Sequence, residues 1–193
     1  MKYYLRPTDV KNFIFCPYRF YYSYVNNIGY TKSNWDRLGK LAEHARREEI
    51  LAKVEKEFEN VFSSKQLLAS EKYGLRGIPD MVLRHKKFSY YAVLEIKYSK
   101  RLRAEQVYSL ASYALLLEDN GYYPVKELLL FLTRTNKLYR FHFSPELRKK
   151  TENILALMRK IIDGKLEPWP NSAHCHSCDF QNYCPWWKHR ADR

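Results

Sequence analysis

Gly77-Ile78-Pro79-Asp80 and, after a basic turn, Tyr91-Ala92-Val93-Leu94-Glu95-Ile96-Lys97 decide how this chain is read. The second stretch is strand-like. Side chains alternate faces with a period of two, so Val93, Glu95 and Lys97 share one face, and Ala92, Leu94, Ile96 and Tyr98 take the other. An acid and a lysine thus project together from a segment apolar enough to be buried. Buried charges are costly unless they are paired or bind a metal. Residues 75–83 also read as a strand, and His85-Lys86-Lys87 suits a hairpin connection between the two. Such a hairpin brings Asp80 near Glu95. Two carboxylates and a lysine on one sheet face can hold a divalent cation and activate water.

Working outward, Thr8 and Asp9 offer an N-cap for a helix through Phe13, Phe15, Phe20, Tyr21 and Tyr24. Cys16-Pro17 kinks or breaks that helix, because proline removes a backbone donor and clashes with the preceding turn. A longer helix is expected over 35–58, where His44 shares a face with Leu41 and Glu48. Residues 66–73 read as a first strand. Downstream, 104–118 is helical and closes at Gly121; 125–134 and 138–143 are strands joined across Thr135-Asn136-Lys137. Ser144-Pro145-Glu146 opens a last helix, which ends at Gly164. The order is helix, helix, three strands, helix, two strands, helix and a cysteine-rich tail. That is an α/β chain forming one domain over 1–193, with an N-terminal helical segment (1–34), a core (35–165) and a tail (166–193).

Cys175, Cys178 and Cys184 follow a C-x2-C-x5-C spacing in the tail, and Cys16 is the only other cysteine. Together they make one set of four thiolates, soft ligands suited to zinc or iron. A shared metal site would staple the two ends of the chain. Zinc leaves room for His174, His176 or His189 in place of Cys16. Uneven spacing and the prolines after Cys16 and Cys184 suit an iron–sulfur cluster. Spacing leaves the two open.

Lys and Arg number 34 against 21 Asp and Glu, a formal net charge of +13. This excess points to a polyanion, above all nucleic acid. Tyr18, Arg19, Tyr21 and Tyr22 could stack on and neutralise single-stranded DNA, or pack inward as an amphipathic helix face. The longest apolar run, 128–132, is far too short to span a bilayer. Residues 1–6 lead into no apolar core with a cleavage site, so a cytoplasmic protein with reduced cysteines and no membrane contact is expected.

Taken together, Cys16-Pro17-Tyr18-Arg19-Phe20-Tyr21-Tyr22, His44 after Gly39, Gly77-Ile78-Pro79-Asp80, Glu95-Ile96-Lys97 and Cys175/Cys178/Cys184 resemble a known family nearly end to end. It is the CRISPR-associated iron–sulfur exonucleases, in the RecB-like branch of the PD-(D/E)XK nuclease superfamily. The resemblance implies a restriction-endonuclease-like fold, a mixed central sheet flanked by helices, with an iron–sulfur module closed by the N-terminal cysteine. It implies Mg²⁺ or Mn²⁺ at His44, Asp80, Glu95 and the Ile96 carbonyl, with Lys97 assisting the attacking water. It also implies a 4Fe-4S cluster on Cys16, Cys175, Cys178 and Cys184. The implied activity is exonucleolytic trimming of DNA ends, typically single-stranded, during CRISPR spacer acquisition, with the CRISPR integrase proteins as partners. The family's Q-x-x-x-Y helix motif departs here: Tyr113 is present, Ser109 stands in the glutamine position, and Gln106 lies one turn earlier. Gln106 and Tyr113 therefore join Tyr18, Arg19 and Tyr22 as candidate DNA contacts. Two further readings share most of these residues: a recombination or viral nuclease outside CRISPR, and a DNA-end-binding accessory subunit without turnover.

Overall fold

The alternation along residues 91–97 produces a strand, and the remaining elements are arranged about it. The structure is a computed structural model that describes residues 4–29, 46–61 and 66–187. Its first half comprises helices α1 (Pro7–Phe15) and α2 (Pro17–Phe20), the latter running into a π-helical turn at Tyr21–Val25. Helical residues 46–54 form α3. Strands β1 (Phe58–Asn60), β2 (Leu68–Ser70), β3 (Leu75–Gly77), β4 (Met81–His85) and β5 (Tyr91–Lys97) follow. Then come α4 (Ala104–Asp119), β6 (Val125–Leu132), β7 (Lys137–His142) and α5 (Pro145–Ile162). Two 3₁₀ turns, Ser172–Ser177 and Gln181–Tyr183, carry the cysteine tail.

Five strands make one mixed sheet in the order β1-β4-β5-β6-β7. Only β5 and β6 are parallel, joined through α4; the other neighbours are antiparallel. One face, with Val82, Val93, Leu128, Leu130 and Leu132, buries against α1, α4 and α5. The other, with Met81, Leu83, Leu94, Ile96, Leu129 and Phe131, buries against Ile50 and Val54 of α3. A sheet covered on both faces explains why the central strands are almost continuously apolar rather than alternating. The family fold expected from the sequence, a mixed sheet between helices, is the fold found.

Four local expectations are corrected. The strand expected over 75–83 is two strands, because Pro79 has no N–H for a ladder and the chain turns at 78–80. The helix expected to reach Phe58 ends at residue 54, and Phe58 instead pairs with His85 as the first residue of β1. The strand expected over 66–73 shrinks to Leu68–Ser70, followed by a turn that Gly74 closes at φ 51°. The first helix is capped at Arg6 rather than Thr8 or Asp9. Pro7 takes the first helical position, and buried Asp9 reaches back to accept from the Arg6 backbone N–H at 2.8 Å. As expected, the Cys16-Pro17 junction breaks the helix: Cys16 is extended at φ −168°, ψ 125°. Among the described residues, no helix is long and apolar enough to cross a membrane.

Candidate active site and cysteine cavity

Met81 pairs with Leu94 in the β4–β5 ladder, so the same register continued by one residue sets Asp80 opposite Glu95. Asp80 holds that position with its side chain. Its Oδ2 accepts from the Ile96 backbone N–H at 2.7 Å, taking the place of a β4 carbonyl where Pro79 ends the strand. Glu95 is 3% exposed, and the Lys97 ammonium, one third exposed, donates to its Oε2. The period-two reading is thus realised: acid and lysine share a face, and the lysine neutralises an otherwise buried carboxylate. At the end of β5 the Thr133 N–H donates to the Lys97 carbonyl at 3.0 Å. Arg46 Nη1 in turn donates to the Thr133 carbonyl at 3.2 Å and ties α3 to the same edge.

The turn carrying Asp80 is held by contacts the sequence did not disclose. Tyr113 on α4 donates its hydroxyl to the Ile78 carbonyl at 3.0 Å. A Cβ at Gly77 would come within 3.0 Å of the Tyr113 ring and 3.1 Å of the Pro7 ring. Gly77 is therefore a close-approach glycine, wedged between α4 and the start of α1. The signal available in the sequence was the glycine two residues before a proline, but its partners lie 36 and 70 residues away.

Tyr113 and Gln106, paired as DNA contacts from the sequence, separate in the structure. Tyr113 props the Asp80 turn. Gln106 is buried, and its Oε1 accepts from the Arg103 N–H at 2.9 Å to cap α4. Ser109, in the family's glutamine position, is buried too. His44 lies outside the described residues. Among the described residues, no three of His, Cys, Asp and Glu gather as the ligand set of one ion. Asp80 and Glu95 remain two hard oxygen donors at one end of the inner strands β4 and β5, the donor type that Mg²⁺ and Mn²⁺ prefer.

All four cysteines line a single cavity at the meeting of the chain ends, walled further by Tyr18, Tyr22, Phe180 and Trp187. Cys16, Cys175 and Cys184 are buried and Cys178 is half-buried; none is in a disulfide. The Asn171 N–H donates to Cys16 Sγ at 3.4 Å, and its side-chain amide donates to the Phe15 carbonyl at 3.1 Å. These bonds carry the tail onto the end of α1. Burial pushes the Cys178 thiol above its ordinary range.

The same cavity reassigns the aromatic run at 18–22. Tyr22 is buried, stacked on Phe180 at 6.1 Å and on Tyr18 at 6.0 Å. Burial first, with Cys184 next, raises its hydroxyl to about 12. Arg19 bridges to Asp179 at 2.8 Å, donates to Asn12 at 3.2 Å and lies over the Phe15 ring at 4.7 Å. Inward packing, the alternative reading of these residues, describes their placement. Tyr22 is buried in the cavity wall, and Arg19 ties α2 to the tail through Asp179.

Fold and site together define a nuclease class, and comparison with known proteins agrees. Residues 35–185 match the PD-(D/E)XK nuclease superfamily, and the chain belongs to it. Over 198 aligned residues it is 29% identical to the CRISPR-associated exonuclease Cas4 of Aeropyrum pernix, spanning 94% of this chain and 96% of that one. The fold is also similar to that of LHK-Exo, solved in complex with dAMP, with a TM-score of 0.58 at 10% identity over 84% of this chain and 89% of that one. A putative exonuclease from Eubacterium rectale has a TM-score of 0.54 at 11% identity, over 97% and 88%. At those identities the solved structures speak for the fold alone.

Proposed function

We propose that the protein is a divalent-metal-dependent DNA exonuclease that trims single-stranded ends during CRISPR spacer acquisition. The observation that carries this reading is the juxtaposition of Asp80 and Glu95 in register, with Lys97 on Glu95, at the end of the inner strands of a PD-(D/E)XK sheet. Similarity to the Aeropyrum pernix exonuclease over nearly both full lengths supports exonucleolytic action and the CRISPR setting; the integrase proteins of such a system would be its partners. The net charge of +13 supports a polyanionic substrate.

Asp80, Glu95, the Ile96 carbonyl and His44 would hold Mg²⁺ or Mn²⁺. When bound, the cation polarises the scissile phosphate and acidifies a water molecule. Glu95, buried and paired with Lys97, would supply a carboxylate oxygen to the cation. Lys97 orients the water through its ammonium and balances the charge that grows on the phosphate as the bond breaks. Asp80 would do two jobs: its Oδ2 fixes the end of the β4–β5 ladder through the Ile96 N–H, and its carboxylate would also help to hold the cation. The cysteine cavity fits a 4Fe-4S cluster in donor type, number and burial, and the prolines after Cys16 and Cys184 favour it over zinc. The cluster would be structural, joining the segment at 1–34 and the tail at 166–193 to the core at 35–165. A cytoplasmic location accords with four cysteines free of disulfides.

The direct test is incubation of anaerobically purified protein with end-labelled single-stranded DNA. Stepwise shortening with Mn²⁺ or Mg²⁺, blocked by chelator, is expected. DNA bound but uncut under every metal condition would establish an accessory subunit without turnover.

A further inference from the structure

The β4–β5 hairpin turns at the opposite end of these strands from Asp80 and Glu95. Glu95 to Tyr91 is four residues, about 13 Å at ~3.3 Å per residue. The hairpin tip carries an aromatic surface that the cutting chemistry does not use. Phe88 is 64% exposed. It is nonetheless held in place: its ring packs on His85 with centroids 4.8 Å apart, and lies 15° from parallel with Tyr90 at 6.4 Å. His85 also packs on Tyr90 at 4.8 Å and meets Phe58 edge-on at 5.1 Å. The tip is fixed from within, because the backbone N–H groups of Lys87 and Phe88 both donate to His85 Nδ1 at 3.1 Å. One ring face is therefore presented to solvent by a stiff support.

The charge around this face is one-sided. Lys86, Lys87 and Lys126 are exposed; the Lys86 ammonium donates to the Glu55 carbonyl, and the Lys126 ammonium lies 5.6 Å from the centre of the Tyr90 ring. The acids nearby are already engaged: Glu59 by Arg84, Glu57 by Arg140, and Glu127 by Tyr90 and Arg140. Among the described residues, no carboxylate pairs with Lys86, Lys87 or Lys126. An aromatic face flanked by Lys87 and Lys126, neither paired with a carboxylate among the described residues, suits a base and its flanking phosphates, since stacking accepts any base and lysine tracks the backbone. An apolar protein surface would leave those ammoniums desolvated without a counter-charge.

We propose that the hairpin tip is a second single-stranded DNA contact, on which Phe88 stacks one base beyond the reach of the cutting site. This rests on the nuclease reading above. The test is equilibrium binding of fluorescein-labelled oligothymidylates of about 4 and about 16 nucleotides, lengths that bracket single-strand site sizes, in chelator to prevent cleavage. Phe88→Ala is expected to weaken the long oligomer roughly tenfold and leave the short one unchanged, with Phe88→Trp restoring wild-type affinity. Lys87→Gln should lower the slope of log K against log salt for the long oligomer by about one. Phe88 is exposed, so an unchanged melting midpoint is expected and serves as the folding control. If wild type gains affinity with length and Phe88→Ala gains it equally, the platform is refuted while the nuclease reading stands. Wild type that binds neither oligomer overturns both.

Discussion

The carboxylate edge and the cysteine cavity are built by opposite means. Asp80, Glu95 and Lys97 are placed by a strand register and by partners no more than 16 residues away, across one hairpin. The four cysteines are placed by contacts over some 155 residues of chain, among short turns with no sheet beneath them. A ladder sets geometry locally and cooperatively, so the first site is organised by the fold itself. The second depends on bringing two chain ends together, and metal ligation of that kind is coupled to folding. The two regions nonetheless communicate. Helix α1 begins at Pro7, packed against Gly77 beside the Asp80 turn, and runs to Cys16 in the cavity wall.

Four substitutions sharpen that contrast, from the largest expected effect to the smallest. Cys184→Ala removes a ligand of the proposed cluster and should cost about 4–5 kcal/mol or more of stability, within the range reserved for lost metal sites. It should appear as a lower melting midpoint and loss of iron and labile sulfide, with cleavage per folded molecule largely kept. Colourless wild-type protein with one zinc per chain would replace the cluster by zinc and leave the contrast intact. Lys97→Ala should act first on rate, which falls by roughly 10²–10³, about 3–4 kcal/mol of transition-state stabilisation. It also leaves the buried Glu95 carboxylate without its lysine, so the melting midpoint should fall in chelator and recover with added Mg²⁺. Gly77→Ala tests the link between the regions. Its added methyl meets the Tyr113 and Pro7 rings at 3.0 and 3.1 Å, overpacking worth about 1–3 kcal/mol. Displacement of the Asp80 turn should make it lose activity as well as stability, and Tyr113→Phe, which removes only the bond to Ile78, should lose part of the activity alone.

This contrast also explains what the sequence could disclose. Period-two alternation from Tyr91 to Lys97, the Ser144 cap, and the glycines at 121 and 164 are local signals, and each element they imply is present. The cysteine set was legible as chemistry, because three closely spaced thiolates and one distant one have few other uses. What escaped was long-range. Nothing near Pro79 reveals that a carboxylate would complete the ladder in place of a backbone carbonyl, so residues 75–83 read as one strand. Tyr18, Arg19 and Tyr22 look like a nucleic-acid stripe until Phe180 and Asp179 arrive from the other end of the chain. The short strand β1 was hidden because Phe58 continues the apolar spacing of the helix before it; pairing with β4, not periodicity, decides its state.

The central claim is that Asp80 and Glu95 form the metal-binding edge of a DNA-cutting site. Calorimetric titration of Mn²⁺ into the Asp80→Asn variant, run beside cleavage of end-labelled single-stranded DNA, tests it most directly. Loss of metal binding and of cleavage is expected, with single-stranded DNA affinity retained because phosphate contacts elsewhere supply most of it. Cleavage by Asp80→Asn at the wild-type rate would contradict the assignment.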